Sequence, residues 1–122
     1  MSQNKRIQFV SDRLVEQIIQ GLKTASVVHL GEAAENLDEY NSALFVGDYY
    51  EVFDSSLTHR CTIRITAMEL CCWDGIPERL WRGETNVSAD EFREDHDDYF
   101  DHPVDDFEFV AYYFHLVETS DL

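Results

Sequence analysis

The sequence predicts an α+β fold, short helices packed on a curled sheet or small barrel, and three stretches carry that expectation. Ser11-Asp12 precedes Leu14, Ile18 and Leu22, spaced four apart with Val15 and Ile19 beside them, the stripe of an amphipathic helix. Residues 59–70 alternate, with Cys61, Ile63, Ile65 and Ala67 on one side and Thr62, Arg64, Thr66 and Met68 on the other, as a half-buried strand does. Residues 107–117 are rich in aromatics and carry apolar side chains on both faces, the pattern of a central strand covered twice.

In chain order, the first helix is expected over residues 12–20, with Ser11 as N-cap and Val10 stapling the helix end. Gly21 stands where a left-handed C-cap belongs, and the chain runs extended over residues 24–30. Residues 31–41 hold Glu32, Glu35, Asp38 and Glu39 with few apolar neighbours and read as an exposed, flap-like loop. Strand character returns over residues 43–53 with a bend at Gly47-Asp48, and residues 54–58 supply turn chemistry before the alternating strand. Asp74-Gly75 breaks that strand, and Pro77 near a first helical position opens a short helix over residues 76–81. Ser88-Ala89-Asp90-Glu91 is a capping box, launching a helix with Phe92, His96 and Tyr99 inside and Glu91, Glu94, Asp95 and Asp98 toward solvent.

Composition bounds the function. A chain of 122 residues that is 44% hydrophobic fits one domain over residues 1–122, with a core that needs no staples. It has no apolar run of about 18 residues and no secretion-signal stretch at residues 1–8, so a cytoplasmic location is expected. Cys61, Cys71 and Cys72 show no metal or disulfide spacing and read as reduced, buried thiols. A net charge of −16 argues against duplex DNA, long RNA and anionic membranes, because those affinities come from Lys and Arg. A nucleoside or short RNA end in a local basic pocket remains compatible. Eleven acidic residues against one arginine, Arg93, between Glu84 and Glu108 form either a solvated face or a surface for a cationic protein partner.

With nine Lys and Arg in the chain, Lys23 draws notice, because Gly21-Leu22-Lys23-Thr24-Ala25-Ser26 sets a lysine and two hydroxyls at a helix-to-strand junction. On one regular strand Lys23 and Ser26 would point to opposite faces, so a shared site requires Lys23 to lie in the turn.

This stretch, together with Val46-Gly47-Asp48 entering a strand and the segment from Gly83-Glu84-Thr85-Asn86 through Ser88 to His96, resembles the ASCH domain family. The resemblance runs over residues 14–118. It implies a small PUA-like mixed β-barrel whose openings are closed by short helices, with a cleft between the Lys-bearing turn and the Gly-Glu loop. It also implies RNA or modified-nucleoside chemistry, with two enzymatic alternatives, an amidohydrolase deacylating a modified cytidine and a ribonuclease. The amidohydrolase branch uses a lysine, a hydroxyl and a glutamate, which correspond to Lys23, Ser26 and Glu84. Alignment of the following segment puts Thr85 at the glutamate position, and Val28 stands where an arginine is frequent.

The chemistry of such a site is constrained. A hydroxyl nucleophile needs a base within about 3 Å, and a lysine serves only if its pKa falls toward about 7 to 8. Glu84 opposes that fall by stabilising the ammonium, so a Lys23–Glu84 ion pair is the competing end-point. Thr24, Thr85 and Asn86 are the expected polar ligand contacts, and Trp73 and Trp81 the expected stacking surfaces for a base. His96 reads as a hydrogen-bonded structural histidine. Asp95-His96-Asp97-Asp98 and His102 lack the spacing of a metal motif, so neither a metal nor another cofactor is expected. The expected ligand is a small nucleoside-like molecule or short RNA. An interaction role for the acidic helix stands third.

Overall fold

The computed structural model describes residues 5–120. Five strands, β1 (Lys5–Gln8), β2 (Ala25–His29), β3 (Tyr49–Phe53), β4 (His59–Cys72) and β5 (Glu108–Thr119), form one mixed sheet in the order β1-β3-β4-β5-β2. β1 is parallel to β3, and the other neighbouring pairs are antiparallel. Three short helices accompany it, α1 (Asp12–Ile19), α2 (Glu78–Gly83) and α3 (Ala89–His96). The sheet curls into half a barrel and stays open between its edge strands, β1 and β2. That seam is where the pocket forms.

The curl comes from the long β4–β5 ladder, whose register shifts between Thr62 and Ile63 and again between Ile65 and Ala67. A bulge of this kind bends a strand and increases its twist. It also corrects the expected alternation. Cys61, Ile63 and Ile65 do share one core, but beyond the second shift Met68 packs on that same core and Ala67 on the opposite one. The first core joins Val15 and Ile18 of α1 to Ile7, Tyr50, Val52 and Phe114. The second lies under α2 and α3 and is aromatic, built from Trp73, Phe92, Phe100 and Phe109 around Leu80.

Several local expectations change. Pairing in β3 begins only at Tyr49, because the preceding backbone is held by a side chain: the Tyr50 hydroxyl accepts from Phe45 N–H and donates to the Ala43 carbonyl. Ser11 takes the N-cap position of α1 without a side-chain capping bond, and Val10 is 86% exposed, so it staples nothing. Pro77 is the N-cap of α2 rather than its first residue. The capping box of α3 forms by half: Ser88 Oγ accepts from Glu91 N–H, while the Glu91 carboxylate turns to Val87 N–H and Asn86 Nδ2. Glu91 is therefore engaged in the loop instead of facing solvent. Among the described residues no helix is long and apolar enough to cross a membrane. Cys61 and Cys71 are buried free thiols, pushed up by that burial to about 11 and about 12.

Candidate functional site: a buried Lys–Glu–His chain at the sheet seam

Gly21, at φ +78°, ends α1 in the left-handed conformation, and the N–H groups of Leu22 and Lys23 both return to the Gln17 carbonyl. This folded-back turn aims the Lys23 side chain inward before β2 begins at Ala25. From the other side, Thr24 N–H donates to the Gly83 carbonyl at 2.8 Å, docking the end of α2 against the start of β2. A methyl group on Gly83 would lie 2.7 Å from the Ala25 Cβ, so the approach requires glycine. The next residue, Glu84, is thereby delivered to Lys23.

Lys23 Nζ donates to Glu84 Oε1 and, at 2.7 Å, to the Ala25 carbonyl. Glu84 Oε2 lies 2.8 Å from His96 Nε2, and His96 Nδ1 lies 2.8 Å from the Phe92 carbonyl one turn back in α3. The imidazole is stacked on the Phe92 ring at 4.0 Å. Side-chain exposure is 1% for Lys23, 5% for Glu84 and 16% for His96, so the chain is shielded from water.

Burial alone would push the Glu84 carboxyl up, but the Lys23 ammonium and the His96 bond reverse this and hold it below its ordinary value. An ionised carboxylate only accepts, and so does a backbone carbonyl. His96 thus turns one ring nitrogen toward each of two acceptors, and the Glu84 carboxylate sits between the Lys23 ammonium and the His96 ring. An ammonium has three donors, of which Lys23 uses two, and Lys23 is among the residues that line the adjoining pocket.

That pocket is a cavity of about 570 Å³ across the open seam. Ile7 and Gln8 of β1 and Ser26 and Val28 of β2 form its sides, and α1 contributes Arg13, Leu14 and Gln17. Glu84, Thr85, Asp95, His96 and Tyr99 close it from the α2–α3 side. Tyr112 stands beside Ser26, its phenol pushed well up by burial, so it stays neutral and is no base for that hydroxyl. The amide oxygen of Gln17 is buried without a partner among the described residues.

The ASCH domain model matches residues 4–118. The chain belongs to the ASCH domain family. No curated protein matches it in sequence. Among solved structures it resembles protein EF3133 from Enterococcus faecalis V583, at 19% identity and a TM-score of 0.72 over 100% of this chain and 86% of that one. It resembles an ASCH domain from Lactobacillus crispatus JV V101 at 18% identity and a TM-score of 0.73, covering 93% and 80%. The ZmASCH protein from Zymomonas mobilis is more distant, at 14% identity and a TM-score of 0.56, covering 95% and 73%. At these identities the likeness is one of fold.

In this ASCH domain Lys23, Ser26, Glu84 and Thr85 line one cavity, with Lys23 in the turn and Ser26 on β2. It is Glu84, not Thr85, that meets Lys23; Thr85 adopts φ +69° and turns the chain away. The remaining expected contacts lie elsewhere. Thr24 is exposed, with its backbone bonded to Gly83 and Phe114. Asn86 is buried behind the wall, its Nδ2 donating to Glu91 and Asp95. Trp73 belongs to the aromatic core, and Trp81 packs at that core's edge under Arg82. The rings that border the pocket are Phe9, Tyr99 and Tyr112, with the imidazole of His96. Sequence reasoning missed His96 as a partner of Glu84, although its i,i+4 relation to Phe92 and the capping box already placed it on the inner face of α3. Nothing in the residue pattern marked Arg13 or Gln17, because their role depends on where α1 docks.

Proposed function

We propose that this ASCH domain binds a nucleoside, free or at the end of a short RNA, in the seam pocket. The observation that carries the reading is the pairing of a cavity of about 570 Å³ with a buried polar floor that still has hydrogen-bonding capacity on Lys23 and Gln17. Small-ligand sites have this size and this character, mostly apolar walls and a few convergent polar groups. A spare ammonium N–H suits the carbonyl oxygen of a base, and the Gln17 oxygen suits an amine or hydroxyl. Tyr99, half exposed at the wall, offers a ring for stacking, worth about 1–3 kcal/mol per base. The negative charge of the chain disfavours a long phosphate backbone, so the ligand is small. Titrating a nucleoside panel into isotope-labelled protein should shift the resonances of Lys23, Glu84 and Tyr99. A panel that moves none of them refutes the reading.

A second reading is amide hydrolysis on a modified cytidine, favoured by Ser26 sharing the cavity with Lys23 and Glu84. As placed, Lys23 donates to a carboxylate and a carbonyl, so it acts as a donor to the substrate's carbonyl oxygen rather than as a base. Attack by Ser26 then requires the proton to pass to another acceptor. Product release from an N-acylated cytidine that disappears in Lys23→Ala and Ser26→Ala supports this reading, and full activity in both variants defeats it.

A further inference from the structure

Eight of the nine Lys and Arg are engaged among the described residues. Six are in ion pairs, Arg64 donates to the Gly47 carbonyl, and Arg79 lies 3.7 Å from the centre of the Tyr113 ring. Arg13 is the exception: among the described residues no carboxylate lies within ion-pair distance of it, and it makes no hydrogen bond or ring contact, yet it lines the seam pocket. In a chain with 25 Asp and Glu, an unpaired arginine at the pocket is unexpected on charge alone. The acids of its own helix are turned elsewhere. Asp12 accepts from the Ser55 N–H and hydroxyl, and Glu16 pairs with Arg60. One turn further along α1, Gln17 presents its unpartnered amide oxygen inside the same cavity. The helix thus offers an exposed cation and, behind it, a buried acceptor.

We propose that Arg13 is the specificity-determining residue that reads a terminal phosphate monoester on the ligand, which makes the preferred ligand a nucleotide rather than a bare nucleoside. This rests on the nucleoside reading of the pocket given above. The planar guanidinium matches two phosphate oxygens at once, and it needs to be free of carboxylates to do so. Gln17, deeper in, accepts from a hydroxyl or amine of the nucleoside portion, while Lys23 supplies further positive potential from the floor. Of the carboxylates at the pocket, Glu84 is paired with Lys23, while Asp95, which accepts from the neutral Asn86 amide, and Glu32 have no cation beside them and oppose an anion. The same phosphate chemistry is found on a free mononucleotide and on the phosphorylated end of an RNA, and the two are separable by experiment.

The test is calorimetric titration of cytidine, cytidine 5′-monophosphate, and a short oligocytidylate with and without its 5′-phosphate. The proteins are the full chain, Arg13→Gln and Arg13→Lys. The native protein should bind the monophosphate about tenfold more tightly than cytidine, the low end for charge-assisted hydrogen bonds. The ratio should fall to about one in Arg13→Gln and be partly kept in Arg13→Lys, which retains the charge without the fork. A phosphate preference in the oligonucleotide as well assigns the site to RNA ends, and a preference confined to the mononucleotide assigns it to free nucleotides. Equal affinity of the native protein for cytidine and its monophosphate, or a preference that survives in Arg13→Gln, overturns the proposal. Absence of binding to all four probes defeats the nucleoside reading itself.

Discussion

Two groups of carboxylate and histidine lie within one short segment and behave as different chemistry. Glu84 and His96 face Lys23 behind a wall of protein, with the lysine 1% and the glutamate 5% exposed. Asp97, Asp98 and His102 form the other group, with their ligand-type atoms within 4.8 Å of one another, but His102 is 69% and Asp98 97% exposed. The residue types are nearly the same. In the buried group each charge has lost its water, so every partner is obligatory and the protons are held in place. In the exposed group water and salt can replace any partner, and the contacts mean little for stability. What makes the first a candidate site is the docking of α2 against β2, with α3 packed on α2, beside an open seam.

The largest expected effect comes from breaking the buried group on one side. Lys23→Met leaves the Glu84 carboxylate with only the His96 hydrogen bond, and removal of one partner from a buried pair costs about 3–5 kcal/mol. Urea unfolding should show that loss, and Lys23→Met with Glu84→Gln should recover part of it by removing the stranded charge. Asp98→Asn at the exposed group should stay within about 0.5 kcal/mol of the native protein. Similar losses in Lys23→Met and Asp98→Asn would dissolve the contrast.

Gly83→Ala attacks the docking rather than the charges. Its methyl would meet the Ala25 Cβ at 2.7 Å and the Thr24 Oγ1 at 3.1 Å, so α2 must shift away from β2. Overpacking of this kind costs about 1–3 kcal/mol. Because Glu84 is the next residue, the shift should also move the His96 ring resonances, although position 83 does not touch His96. Unchanged His96 resonances together with native stability would show that the close approach does not position the site.

The acid limb of stability sharpens the contrast further. The folded Glu84 carboxyl is held below its ordinary value of 4.5, so as pH falls the unfolded chain takes up the proton first. The contribution is fully present above about 4.5, near the unfolded value, and is lost as pH drops through the folded one. Glu84→Gln should therefore lose stability at neutral pH and show a flatter acid limb. An acid limb with the native slope would place the acid sensitivity elsewhere.

How much of this was readable beforehand follows from which interactions are local. The Leu14, Val15, Ile18 and Ile19 stripe of α1, the break at Gly21 and the Ser88 cap depend on neighbours within one or two turns and sit where their residues said, whereas Leu22, expected on the same stripe, lies past the break and is exposed. The bulge in β4 escaped, since alternation says nothing about an unpaired residue whose position is set by the partner strand. Lys23 and Glu84 were legible as a pair through family resemblance, 61 positions apart. The tryptophans pointed the wrong way for a physical reason: large rings next to a functional loop pack into the core when a second, aromatic core lies beneath it, as Trp73 does. Gln17 and Arg13 reach the pocket only through the tertiary placement of α1, which no spacing in the chain encodes, and Tyr99, expected on the inner stripe of α3, lies just past that helix and is half exposed.

The smallest effect belongs to the exposed group. The hydrogen bond that His102 Nδ1 donates to the Asp97 carboxylate, aided by that group's charge, raises the His102 imidazole above its ordinary 6.5. A raised folded value means that whatever the contact contributes is present below about 6.5 and disappears as pH climbs through the folded value. His102 is solvent-exposed, so the effect should be visible in its own titration and not in a melting curve. An NMR pH titration should place His102 above 6.5 in the native protein and move it down in Asp97→Asn, where Asp98 and Asp101 still hold it up in part. Added salt should have the same result at His102 by screening, because that pair lies in water, while leaving the acid limb governed by Glu84 in place. If salt flattens both alike, then water reaches the Lys23–Glu84–His96 chain, and the two groups differ in degree rather than in kind.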